Sequence, residues 1–102
     1  MDYIKKFSEY CVSVINSKRI EIPDKNLAQA VRKQEFTFSC ESMKMYLKHT
    51  FYNEGKMIEE QAYRENKSLS IEQLKEMQQI GDIKIKEFIE KAENEFLGLE
   101  ME

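Results

Sequence analysis

Cys40 and His49 are the two residues whose types could combine into a reaction. A thiolate attacks electrophilic carbon, and an imidazole within hydrogen-bond reach can take the proton that makes the thiolate. His49 is the single histidine of the chain, and Cys11 and Cys40 are its two cysteines. No sequence motif frames the pair, so it carries little weight as a nucleophilic centre. Neither cysteine has the short spacing to a second ligand that a zinc site uses. Carboxylates are plentiful, but none is paired in an apolar setting where one could be held protonated, so acid–base catalysis has no named residue. Gly55, Gly81 and Gly98 are isolated from one another and form no phosphate-cradling loop. The expectation is therefore no enzyme, no cofactor and no metal.

Charge is the next candidate for chemistry. The 102 residues carry 16 Lys and Arg against 19 Asp and Glu, a net charge of -3. The distribution is uneven. Residues 1–56 hold ten basic and seven acidic side chains, whereas residues 57–102 hold six and twelve, so the halves stand at +3 and -6. Such asymmetry suits a basic contact surface in the first half and an acidic, solvated element in the second.

The elements that must position these groups follow from periodicity. The chain is 41% hydrophobic and 34% charged, a balance that supports a folded core rather than disorder, and its length suits one domain over residues 1–102. No apolar stretch approaches the roughly 20 residues needed to cross a bilayer, and the start of the chain lacks a signal peptide's apolar block. No membrane partner and a cytoplasmic location are expected, with both cysteines reduced. Ile4, Phe7, Cys11 and Val14 recur every three or four positions, which predicts a first helix from Asp2 to about Ser17. Residues 19–22 alternate polar and apolar before Pro23 and read as extended chain or a short strand.

After Pro23, Asp24 is a candidate N-cap for a second helix over about 25–34 that buries Leu27, Ala30 and Val31. Residues 35–38, Glu-Phe-Thr-Phe, break the pattern, and Ser39 caps a third helix over about 40–54 that buries Met43, Leu47 and Phe51. Gly55 is placed to end it. Residues 56–70 fit either a hairpin or further helix, with a polar turn at Arg64 to Lys67. Ser70 and Gln73 form a capping-box pattern. The final helix they open, about 70–97, has the stripe Leu74, Met77, Gly81, Ile85, Phe88, Ala92 and Phe96.

Three stretches carry a family resemblance. Residues 22–31 (Ile-Pro-Asp-Lys-Asn-Leu-Ala-Gln-Ala-Val) are similar to the opening of the second helix in winged helix-turn-helix proteins, where a Leu-Ala pair begins the motif. Residues 39–47 look like that family's recognition helix, and the run from Tyr46 and Leu47 through Gly55 to Met57 and Ile58 resembles its helix end and the strand leading to the wing. The likeness covers about residues 20–60. It implies a mainly α fold with a small β component, a winged helix-turn-helix followed by a long C-terminal helix.

On that resemblance the chain binds specific double-stranded DNA, as a transcriptional regulator or an accessory factor at a plasmid's transfer origin in conjugation. Ser39, Glu41, Ser42, Lys44, Met45, Lys48 and His49 would then face the major groove. Arg64, Asn66 and Lys67 would form a wing tip in the minor groove, and Lys25 and Lys33, with Lys18, Arg19 and Arg32, would contact phosphates. Ile80, Ile83, Phe96, Leu97 and Leu99 exceed what one packed face needs and suggest a homodimer. The competing expectation is a helical protein–protein interaction module, such as a chaperone or inhibitor, that binds no DNA and continues as helix through residues 56–67.

Overall fold

The first helix forms close to where its spacing puts it. In a computed structural model that describes residues 1–101, α1 spans Tyr3–Asn16, and the Asp2 carboxylate accepts from the Lys5 backbone N–H at 3.0 Å. Tyr3, Phe7 and Cys11, four residues apart, are its buried face. Residues 17–28 then leave the helix as non-helical chain with a turn at 24–27. The 19–22 stretch joins no sheet, and Ile20 instead buries its side chain between the helices.

The largest departure from expectation comes next. A single helix, α2, runs over Gln29–Arg64 without a break. Its 36 residues rise about 54 Å at 1.5 Å each, which sets the long axis of a molecule measuring 57 × 21 × 18 Å. Asp24 caps no helix. It holds a turn instead, its carboxylate accepting from the Asn26 N–H at 2.9 Å and its carbonyl from the Leu27 N–H at 3.2 Å. Leu27, Ala30 and Val31, expected in the core, are exposed. Ser39 lies inside the helix, and Gly55 has no positive φ and ends nothing. The aromatic run at 36–38 fails to break the helix because Phe36 is held by a tertiary contact, its ring stacked on Phe96 at 4.3 Å and 6°. Burying one such ring contributes about 1.5–3 kcal/mol, more than the tenths by which its helix propensity falls short of alanine's.

The predicted turn after residue 64 is real, but it joins helices and not strands. Asn66 takes φ 61°, the Asn66 N–H bonds to the Tyr63 carbonyl, and the Lys67 N–H reaches the Ala62 carbonyl at 2.8 Å. This is a Schellman ending, with Asn in the left-handed position that it and glycine tolerate best. The capping box then opens α3, Ile71–Glu100: Ser70 Oγ accepts from the Gln73 N–H at 3.1 Å while Gln73 Oε1 accepts from the Ser70 N–H at 2.8 Å.

The three helices alternate in direction. Tyr3 Oη donates to Glu65 Oε2 at 2.6 Å and the Lys18 ammonium sits over the Tyr46 ring, so α1 runs antiparallel to the second half of α2. Phe96 against Phe36, and Arg32 against Glu100, fix α3 antiparallel to all of α2. One core cluster, including Phe7, Cys11, Leu47, Phe51, Ile58 and Met77, lies where all three helices meet. A second, of Ile20, Phe36, Cys40, Ala92 and Phe96, lies beyond the end of α1, where the non-helical segment takes its place. The architecture among the described residues is all-α, with no strand. The winged helix-turn-helix resemblance and the small β component are thereby corrected: there is no sheet to make a wing, and the two expected short helices are one rod.

Two glycines in α3 have opposite surroundings. A Cβ on Gly81 would stand 3.3 Å from Phe51 Cδ2 and 3.7 Å from Phe7 Cζ, so its bare backbone lets α1 and α2 close onto α3. Gly98 has nothing within 4 Å of the same point. Gly98→Ala is expected to raise stability by about 1 kcal/mol through helix propensity alone, read as a rise of about 4–8 °C in the thermal midpoint. A fall would show that this end of α3 is not helical in solution.

Candidate interaction surface

Cys40 and His49 are held apart by the helix that carries them both. Nine residues along α2 separate them by about 13.5 Å of rise and half a turn of rotation. Cys40 is buried in the second core cluster, while His49 is exposed with its Nε2 3.2 Å from Asn53 Nδ2. No thiol–imidazole contact forms. Both cysteines are reduced and buried, and burial pushes each thiol up, that of Cys11 to about 12. No group of three or more metal-binding side chains gathers among the described residues, and no helix is long and apolar enough to cross a membrane.

These shifts have a consequence for stability. The Tyr3 hydroxyl is also raised, first by its hydrogen bond to Glu65, so the folded chain holds both protons more tightly than the unfolded one. A group with a raised folded pKa contributes stability that is complete below its unfolded pKa and lost as pH climbs through the folded value. The urea midpoint is expected to hold up to about pH 9, the ordinary range of a thiol, and then to fall steadily toward pH 12. A midpoint flat across that window would mean that Cys11 is open to solvent.

The residues expected to touch DNA do not converge. Lys25 lies in the turn before α2 and Lys33 near its start, while Arg64, Asn66 and Lys67 close its far end, about 46 Å from Lys33 along the axis. Between them Ser39 and Lys44 are half-buried on the flanks, and Glu41, Ser42, Met45, Lys48 and His49 are exposed. No separate recognition helix and no wing exist to enter adjacent grooves. The reading as a sequence-specific DNA-binding protein, whether transcriptional regulator or plasmid-conjugation factor, is corrected on that ground. The homodimer expectation loses its basis as well. Phe96 is buried on Phe36, and Ile80 and Leu99 are half-buried within the bundle, leaving Ile83 and Leu97 exposed and isolated among charged residues of α3.

A different surface emerges from the continuity of α2. Val31, Phe38, Met45 and Tyr52 are exposed by 42%, 73%, 71% and 64%, and they stand seven residues apart. Seven residues make two turns less about 20°, so the four form one line about 32 Å long. Phe38 is two residues from buried Phe36, and Met45 two from buried Leu47. Two residues rotate a helix by about 200°, which puts the line opposite the core. Glu41, Lys48, Lys56 and Glu59 flank its second half, with the Lys56 ammonium 5.5 Å from the centre of the Tyr52 ring. Glu54 is on the core side, close enough to Tyr10 and Cys11 to raise both. Phe38 falls in the stretch expected to break the helix and Tyr52 has no expected role, although the sevenfold spacing from Val31 to Tyr52 is visible in the sequence.

Beside this line, α2 and α3 part into a cleft of about 490 Å³. Phe7, Phe51 and Met77 line its floor together with Gly55 and Gly81, and Lys48, Tyr52, Lys56 and Glu59 border it from the α2 side. A second groove of about 650 Å³ follows the end of α1 along α3, where Lys18, Arg19, Lys84 and Lys91 outnumber Glu87 and Glu95.

Compared with protein-family models, with curated proteins and with solved structures, the chain matches none.

Proposed function

We propose that this chain is a helical protein–protein interaction module that works without catalysis and engages a partner's helix along the outer face of α2. The carrying observation is the line of Val31, Phe38, Met45 and Tyr52 in heptad register opposite the core. Single exposed apolar side chains are ordinary on any protein. Four in register on a straight helix match the seam that a second helix packs against, with one knob every two turns. Covering each contributes about 1.5–3 kcal/mol, and after the cost of association an affinity on the micromolar scale remains.

A photo-crosslinking amino acid placed at Phe38 or Tyr52 in cells should trap a discrete partner, while the same group at Glu90 on α3 traps none. Adding Val31→Glu and Met45→Glu should abolish the product while shifting the unfolding free energy by no more than about 0.5 kcal/mol each, since both side chains are already in water. Equal labelling from α2 and α3, or none from either, would count against the reading. Random-sequence duplex DNA is expected to show no salt-dependent retention.

A further inference from the structure

The core between α2 and α3 is covered unequally along its length. Over the first cluster the cover is a helix: α1 buries Tyr3, Phe7 and Cys11 there and is tied to the far end of α2 by the hydrogen bond from Tyr3 to Glu65. Over the second cluster α1 has ended, and residues 19–23 take over. Ile20, 5% exposed, is the one buried side chain of that stretch, with Ile22 half-buried beside it. None of residues 19–23 makes a hydrogen bond or an ion pair among the described residues. From Asp24 to Val31 every residue is exposed, and burial resumes only at Arg32. The cover is also incomplete on the α3 side, where the groove of about 650 Å³ has Ile20, Phe88 and Ala92 in its walls.

We propose that residues 19–23 are a strap, hinged on the exposed turn at 24–27, that opens as its own unit. Opening withdraws Ile20 and uncovers the apolar groove of Phe36, Phe88, Ala92 and Phe96, while α1, α2 and α3 stay assembled. Segments held by few apolar contacts and few backbone hydrogen bonds open at a free energy well below that of global unfolding. Ile20 is the latch. The helices on either side need not move, because their ends close on themselves: the Ser17 and Lys18 N–H groups bond to the Val14 and Ile15 carbonyls, and the Arg32 N–H to that of Ala28. The bundle therefore has a second apolar face that is normally shut, separate from the docking line on the outer side of α2.

The two buried thiols read the two halves of the core separately, since Cys40 belongs to the cluster under the strap and Cys11 to the cluster under α1. The intact chain is labelled at low maleimide concentration, where reclosing outpaces modification, and the modified cysteine is identified by peptide mass spectrometry. Cys40 should react at least about tenfold faster than Cys11. A matched pair of conservative variants then assigns the opening. Ile20→Val weakens the latch without leaving a gap that admits the reagent, and should speed Cys40 by about twofold to tenfold. Ile58→Val weakens only the first cluster, which stays formed when the strap opens, so it should speed Cys11 by a similar factor and leave Cys40 unchanged. A Cys40 rate that follows Ile58→Val, or that is no faster than the Cys11 rate, would mean that the strap comes away only as the whole bundle unfolds. A fast Cys40 rate indifferent to Ile20→Val would mean that the thiol is reached with the strap in place. Either result overturns the proposal.

Discussion

Glu100→Ala is expected to lower the unfolding free energy by about 2–3 kcal/mol, although it removes the side chain of the last residue of α3. Arg32, near the start of α2, is 7% exposed, and its Nη1 meets Glu100 Oε1 at ion-pair distance. The guanidinium lies over the Phe96 ring at 5.8 Å, and that ring is stacked on Phe36. Its Nε and Nη2 have no hydrogen-bond partner. Taking away the carboxylate leaves a buried cation with nothing to offset its desolvation, a change that costs roughly 3–5 kcal/mol in a fully buried pair. Glu100 keeps some contact with water, which places the expectation at or below the lower end of that range. Arg32→Met combined with Glu100→Leu should recover most of the loss or exceed the parent, because it also removes two unsatisfied donors. Urea unfolding of the two single variants and the double closes the cycle. A single-variant effect below about 0.5 kcal/mol would mean that the pair is solvated and that the second core cluster is open at this end.

Leu47→Ala should be costlier still, about 3 kcal/mol or more, with a thermal midpoint lowered by over about 12 °C. Leu47 is fully buried in the cluster where all three helices meet, so alanine leaves a void that neighbours on three helices cannot close together. Met45→Ala, two residues earlier on the same helix, is expected to stay within about 0.5 kcal/mol because Met45 faces water. The contrast tests the rotational phase of α2 at its centre. Comparable losses at both positions would mean that the Met45 face is covered, and the proposed docking line would go with it.

The first and last helices were legible in the sequence because their signals are local. Asp2 and the spacing of Phe7 and Cys11 define α1, and Ser70 with Gln73 and the stripe from Met77 to Phe96 define α3. The exposure of Glu41, Met45, Lys48 and His49 was legible too, since a helix that buries Leu47 and Phe51 must turn them outward. The middle of the chain was misread where weak local preferences stood against contacts invisible in a single sequence. Phe36 and Phe38 favour strand, Ser39 favours a cap and Gly55 favours an ending, each by about 1 kcal/mol or less. Phe36 on Phe96, and Phe51 against Phe7 and Gly81, outweigh them.

That outcome decides the functional reading as well. Breaks at residues 34–39 and at Gly55 would rotate Val31, Phe38 and Met45 onto different elements, and their sevenfold spacing would mean nothing. The sequence by itself determined the helical periodicity, the caps of α1 and α3 and the division of charge between the halves, because each depends on residues within a turn or two of one another. Only the tertiary structure decided that residues 29–64 are one helix, since α3 spans both expected breaks and buries the same face on either side of them. With the phase of α2 unbroken, four scattered apolar residues become a line on the surface.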